Sequence, residues 1–475
     1  MILPPWLWRL VHSRKFWILL ISLPIAGLVL FYTISNRWGA RKLDQARTEL
    51  SAKGYALTWA EVIQAGVAPE EDLLRHAVML RKPHDIESEL VAKGYDPSRL
   101  DDWTPDLSEC KRFSAAEVCG KPAGEETAAI NQLLADLTFA TEGNANEIKE
   151  AVRTSKGIGW RVAGSVPVPE DPSISTIGWM SNWILRRAVL RAAAGDDVGA
   201  MDDLEVAHEY LTLLHKEPRT LLSTVIGMGI SATFTNSAWQ IARMPSTSRE
   251  QLQEINQWLD SLDTARTTVD CYQRELVFMN ELIGSLFGNI TALPPDQMNL
   301  NFSWMDAREW WKEGKNCWWQ VRPVGLFKAE LAEALMRINH EILHLPDGNK
   351  RQAWTMRDAD RIEAYASSLP SGGTHPLGFD HRFFDDFLKV IPPAIRKDHK
   401  VRTALRLCRA GIAAELYRRD HGRLPSAMSD LVPAYLAEVP VDALSETPIR
   451  MDTVFDEKIT FIANDEVLWI VIPAE

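Results

Sequence analysis

The chain has 475 residues, 46% hydrophobic and 24% charged, with a net charge of −12. That length suggests two to three domains, and the acidic balance weighs against nucleic-acid binding, which draws its affinity from clustered Lys and Arg. The five cysteines, Cys110, Cys119, Cys271, Cys317 and Cys408, form no CxxC pair, which excludes a zinc ribbon.

Residues 1–15, with Pro4, Pro5, Trp6 and Trp8, read as a short cytoplasmic N-terminus at the membrane surface. Phe16–Ile34 then runs for nineteen residues without a charge. At about 1.5 Å per residue this covers about 28 Å, close to the hydrocarbon thickness of a bilayer. Trp17 and Tyr32 lie near its ends, where amphipathic rings favour the interface. The run exceeds a secretory h-region, and Ser35-Asn36-Arg37-Trp38 offers no cleavage pattern. Residues 16–35 are therefore expected to form one retained transmembrane helix. Lys and Arg are nearly balanced across it, and a large downstream body translocates regardless of charge. The expected topology is an inner-membrane single pass with an extracytoplasmic body.

Residues 36–124 read as a juxtamembrane helical region with a linker. A helix from Arg37 to Lys53 should emerge from the bilayer and end in Glu49–Tyr55, where Lys faces the negative helix end and Gly takes the left-handed cap. The same phrase returns at Glu89–Tyr95, as a duplicated helical unit or as one stop signal used twice. In the polar segment that follows, Cys110 and Cys119 are close enough to pair in an oxidising compartment, or stay as thiols.

Residues 125–377 read as a helical body. After the Pro-rich break at residues 164–175, helices are expected at Trp183–Ala194, Ala200–Leu214 and Leu221–Ala242. The first two, separated by Gly195-Asp196-Asp197, resemble one tetratricopeptide-like hairpin by analogy. Ser248–Gln251 fits a capping box opening a helix with Leu252, Ile255, Leu259 and Leu262 on one face. Further helices are expected at about Val324–Leu345 and Thr355–Ser367. Residues 378–475 read as a small α+β module: irregular helix through Pro392-Pro393, a helix at about Lys400–Arg419, and short strands at Pro448–Met451, Lys458–Ala463 and Val467–Ile472.

Within that module Tyr417, Gly422, Pro425, Leu431, Tyr435, Leu436, Pro440 and Asp442 follow a pattern of helix, turn, short helix and strands. This resembles the globular part of the type II secretion major pseudopilin. The turn logic is Gly422 ending the helix, Pro425 fixing the exit and Ser426 capping the next short helix. Ala443 stands where that family has Pro and Glu446 where it has Gly, and its calcium loop is absent, so no metal site carries over. The N-terminal span, the helix–Lys–Gly–Tyr phrase, the helical middle and this C-terminus together resemble a family of bacterial single-span membrane-anchored proteins. That resemblance brings no activity with it.

Three motifs invite chemistry. His340-Glu341-Ile342-Leu343-His344 fits H-E-x-x-H, with His340, His344 and the later Glu363 as zinc ligands and Glu341 as general base; the spacing to Glu363 resembles that of gluzincin peptidases. Against it, Pro346 stops the helix, Arg337 stands where a small residue is preferred, and Leu331, Leu335, Ile338, Ile342 and Leu345 form an apolar stripe opposite the histidines. The motif therefore reads as a solvated helix face. Gly227–Ala232 fits G-x-G-x-x-A but lacks the strand and βαβ unit of a dinucleotide site. Trp304, Trp310, Trp311, Trp318 and Trp319 could stack on sugars, bind a partner or lie at a membrane surface; the plainer expectation is a corner of the core.

The expectation is a mostly α protein with a transmembrane helix, a hairpin-like body and an α+β end. It acts as a non-enzymatic binding or assembly protein of the cell envelope, with no cofactor, in contact with the membrane and with a protein partner. The alternative is a zinc metallopeptidase.

Overall fold

The computed structural model describes residues 14–55, 58, 71–73, 76–80, 88, 91–92, 134, 145–157, 172–216, 221–263, 271, 277, 324–338, 354–368, 382–454, 458–463 and 467–471. These are mostly helical. The main helices are α1 (Arg14–Ala52), α2 (Pro172–Ala193), α3 (Asp197–Lys216), α4 (Leu221–Ala242), α5 (Arg249–Leu262), α6 (Val324–Ile338), α7 (Met356–Ser368) and α8 (Arg382–His421). Three strands follow, β1 (Arg450–Val454), β2 (Lys458–Ala463) and β3 (Val467–Val471). The chain divides into two compact units, one of Met1–Val62, Leu276–Lys350 and Ala364–Leu388, the other of Ile63–Glu275, Arg351–Glu363 and Lys389–Glu475. Both units are assembled from separated stretches.

In the first unit, α1 takes in the apolar run and the segment after it as one helix, where the sequence suggested two pieces. No breaker lies between them, so hydrogen bonding continues. The helix stops as expected. Gly54 has φ +74°, its N–H donates to Ser51 O (2.8 Å), and the Tyr55 N–H donates to Leu50 O (3.0 Å). Lys53 Nζ pairs with Glu49 at 2.8 Å, and Tyr55 is buried. Of the second copy, Glu89–Tyr95, all but residues 91–92 lies outside the described residues.

Helix α1 packs along α6. Its buried face is Ser35, Gly39, Leu43, Ala46 and Leu50, spaced three or four apart as one helical stripe requires. On α6 the buried positions include Gly325, Leu326, Ala329, Ala332 and Leu335. The two backbones touch at the glycines: a Cβ on Gly39 would lie 1.6 Å from Gly325 O, and one on Gly325 would lie 2.0 Å from Ser35 O. Asn36 Oδ1 accepts the Gly325 N–H at 2.7 Å, so a side chain of α1 satisfies one orphan amide at the start of α6.

In the second unit, α2 begins at Pro172, eleven residues before the helix expected at Trp183. Proline suits a first helical position because its missing N–H would have no partner there. Gly195, with φ +85°, closes α2 through Asp196 N–H to Arg191 O (2.8 Å), and α3 runs back along it. Helix α4 packs on both. The capping box at Ser248 forms as read, with reciprocal bonds to Gln251, and Leu252, Ile255, Leu259 and Leu262 are buried.

Helix α8 runs unbroken through Pro392 and Pro393, where irregularity was expected. Burial of Leu388, Ile391 and Ile395 holds the helix on both sides of the two residues that cannot donate. One core joins the hairpins to the C-terminal module, from Leu185, Leu204 and Phe234 through Leu405, Cys408 and Ala413 to Phe461. Gly411 sits against the Trp239 ring, which a Cβ would meet at 2.5 Å. Gly422, φ +66°, ends α8 as expected. The short turn of helix that follows, Met428–Asp430, is capped differently from the reading. Asp430 accepts the Ser426 and Ala427 amides (2.7 and 3.2 Å), while the Ser426 hydroxyl itself donates to Asp430. The strands pair antiparallel in the order β1-β2-β3, with Met451 opposite Phe461 and Phe461 opposite Trp469.

Candidate functional site

Of the zinc reading, the ligands His340 and His344 and the general base Glu341 lie outside the described residues. Glu363 is described: it lies exposed on α7, engaged with Asp360 by the Arg396 guanidinium. On α6, Leu335 of the expected apolar stripe is buried and Glu333 of the opposite face is exposed. Among the described residues no group of three His, Cys, Asp or Glu is placed to hold a metal. The glycine motif Gly227–Ala232 lies inside α4, with neither strand nor loop around it. The Trp cluster, Cys110 and Cys119 lie outside the described residues.

The second unit holds four polar clusters, two of them buried, of which the sequence reading named only Asp442, as a position in the C-terminal pattern. Asp203, fully buried on α3, receives Arg187 bidentately (2.5 and 2.8 Å), Lys149 Nζ at 2.8 Å and Arg191 at 3.2 Å. Three cations on one carboxylate satisfy each other, which binds α2, α3 and the helical stretch at 145–154 together. Periodicity hid this cluster, because Arg187 and Asp203 occupy positions that a surface helix would also fill with charge.

Asp442, also fully buried, accepts the Thr403 hydroxyl (2.7 Å), the Leu444 and Ser445 amides (3.0 and 3.2 Å) and the Ser445 hydroxyl (2.6 Å). Burial pushes its carboxyl up, but these donors outweigh burial and hold it below the usual range. Beside it His399, buried on α8, faces Ala443 O with Nδ1 (2.7 Å) and Trp354 O with Nε2 (2.8 Å). Both carbonyls accept a hydrogen bond only when the ring carries both protons.

On α3, His208 Nε2 meets Ser261 Oγ at 2.7 Å, and that hydroxyl donates onward to Trp258 O at 2.8 Å, so His208 is the donor to Ser261. Ser261 is thus not activated as a nucleophile, which would require it to donate to the imidazole. Burial pushes His208 down to about 4, with His215 adding to the shift, and burial does the same to His215.

Along α8, Arg402 and Arg406 meet Asp263 (3.5 and 2.6 Å), Arg409 meets Asp260 (2.5 Å) and Asp420 meets Arg249 (3.0 Å), an ion-pair ladder against α5. Hydrogen bonds from Arg249 and then Tyr435 hold the Asp420 carboxyl at about 2. The carboxylates named in these clusters are all engaged with groups of the same unit.

The first unit differs. Over Leu28–Ile34 the α1 side chains are exposed apart from the half-buried Tyr32, with Leu28, Val29, Leu30 and Ile34 57–60% exposed. From Ser35 onward α1 is buried along one face only. Among the described residues no helix is long and apolar enough to cross a membrane; the side chains of residues 14–21 and 23–25 lie outside them. No known protein family, no curated protein and no solved structure matches this chain.

Proposed function

We propose that the chain is a single-span membrane protein of the bacterial envelope, anchored through Phe16–Ile34, whose extracytoplasmic body is a non-enzymatic binding or assembly scaffold. The observation that carries the reading is the change in α1 at Ser35. Before it Leu28–Phe31 and Ile34 are exposed apolar side chains with no buried stripe among them, and after it the helix is buried along one stripe. Apolar surface left in water costs about 25 cal/mol per Å², and a bilayer is the surrounding that removes that cost from every side at once. A continuous α1 transmits the anchor directly into its seam with α6. The polar clusters of the second unit favour a scaffold, because their carboxylates and histidines are engaged with protein partners. The turn at Gly422, the short helix and the antiparallel strands also support reading residues 378–475 as pseudopilin-like. Glu446 adds to this: it has φ +58°, a left-handed conformation suited to the glycine usual there.

Alkaline phosphatase fused after Glu475 should be active in a bacterial host, with the fusion in the membrane fraction. A product that is soluble and shortened overturns the anchor, and an active cytoplasmic reporter at the same end overturns the orientation. Protein purified from the same cells should carry no stoichiometric zinc; one zinc per chain, lost on His340→Ala, would bring the metallopeptidase reading forward.

A further inference from the structure

Beyond Ser35 the side of α1 away from α6 has its own composition. At about 100° per residue, Arg37 and Arg41 lie opposite the buried stripe, Trp38 lies to one side of it and Lys42 on that same side at the edge of the stripe. All four are exposed, Trp38 at 45%. Among the described residues Arg37, Arg41 and Lys42 make no ion pair; of the two exposed carboxylates on that side, Asp44 and Glu49, Glu49 is taken up by Lys53. Measured along the helix, they begin about 5 Å and end about 12 Å past Ile34, at 1.5 Å per residue. Headgroups occupy the 5–8 Å or so outside the hydrocarbon, and Arg and Lys stems extend back toward it.

We infer that the face formed by Arg37, Trp38, Arg41 and Lys42 binds the headgroups of anionic phospholipids in the leaflet where α1 leaves the membrane. The inference rests on the proposed span. Guanidinium groups pair bidentately with phosphate oxygens, and an indole favours the headgroup level. Because α6 packs on the stripe side, the bound lipid touches α1 without displacing α6. The excess of three cations over one carboxylate selects anionic over zwitterionic lipid.

The full-length protein is placed in nanodiscs of phosphatidylcholine with a minor fraction of phosphatidylglycerol, and the relative association of the two lipids is read from those retained on the protein. The wild-type should prefer phosphatidylglycerol, and the preference should weaken with salt. Each cation near an anionic surface contributes about fivefold, so Arg37→Gln/Arg41→Gln/Lys42→Gln should lower the preference at least about tenfold. Arg37→Lys/Arg41→Lys keeps the charge and should retain most of it, which separates lost binding from a misfolded variant. A wild-type protein that enters the discs but shows no preference overturns this inference alone, as does a triple variant that keeps it. Displacement by millimolar inorganic phosphate shows a soluble-anion site and overturns the lipid assignment. Failure to enter the discs at all overturns the span and this inference together.

Discussion

Two helix contacts, one in each unit, are held by opposite chemistry. Between α1 and α6 the backbones meet through Gly39 and Gly325, with Ser35, Ala329 and Ala332 along the same seam. Between α5 and α8 the contact is a buried apolar face edged by arginine–aspartate pairs. A seam that starts from small residues gains from close backbone approach and dispersion, with Leu43, Leu50, Leu326 and Leu335 adding apolar burial along it. A contact of long apolar and charged side chains gains from burial in water. The first cannot accept an added atom. The second accepts changes at its charged rim but not in its buried apolar face.

The largest effect should come from breaking a buried charge. Asp203→Ala leaves Arg187, Lys149 and Arg191 without their shared carboxylate, and should destabilise the second unit by about 3–5 kcal/mol in chemical denaturation. Hydrogen exchange of α1 and α6 should stay unchanged; equal loosening there would show that the two units do not unfold independently.

Breaking the seam comes next. Gly39→Leu forces backbone apart at Gly325 and should cost about 2–3 kcal/mol, read as faster exchange in α6 and in residues 35–52. If this variant is as stable as the wild-type, the glycine contact is not what holds α1.

Acid should separate the contacts more gently. The unfolded chain binds protons at His208 and His215 near pH 6.5, whereas the folded unit does so only near 4. Folding stability is thus full above about pH 6.5 and is lost as pH falls from there toward 4. With His208 partly exposed, the loss should be about 1–3 kcal/mol for the pair. It should shrink in His208→Gln/His215→Gln, and the α1–α6 seam should show no such slope.

The smallest change is a gain. Glu446 is a non-glycine residue with positive φ among the described residues, so Glu446→Gly should raise stability by about 1 kcal/mol. A loss would mean that its side chain contributes more than its backbone costs.

Much of this was legible in sequence because it is local. The helix stop at Gly54, the capping box at Ser248, the end of α8 at Gly422 and the buried run Leu252, Ile255, Leu259 and Leu262 follow from residues within a few positions of each other. Where expectation and structure differ, a longer-range cause intervenes. Helix α8 crosses Pro392-Pro393 because burial on both sides outweighs the lost bonds. The cap at Met428–Asp430 comes from Asp430 reaching back rather than from Ser426. The seam partners Gly39 and Gly325, and the Asn36 cap on an amide 289 positions away, could not be paired from one sequence. A glycine announces only that a side chain is unwelcome, not which backbone is the reason. Likewise the sequence by itself determined that Arg187, Asp203, Thr403 and Asp442 are polar. Only the tertiary structure decided that they are buried partners, because burial depends on what the rest of the chain brings to their side.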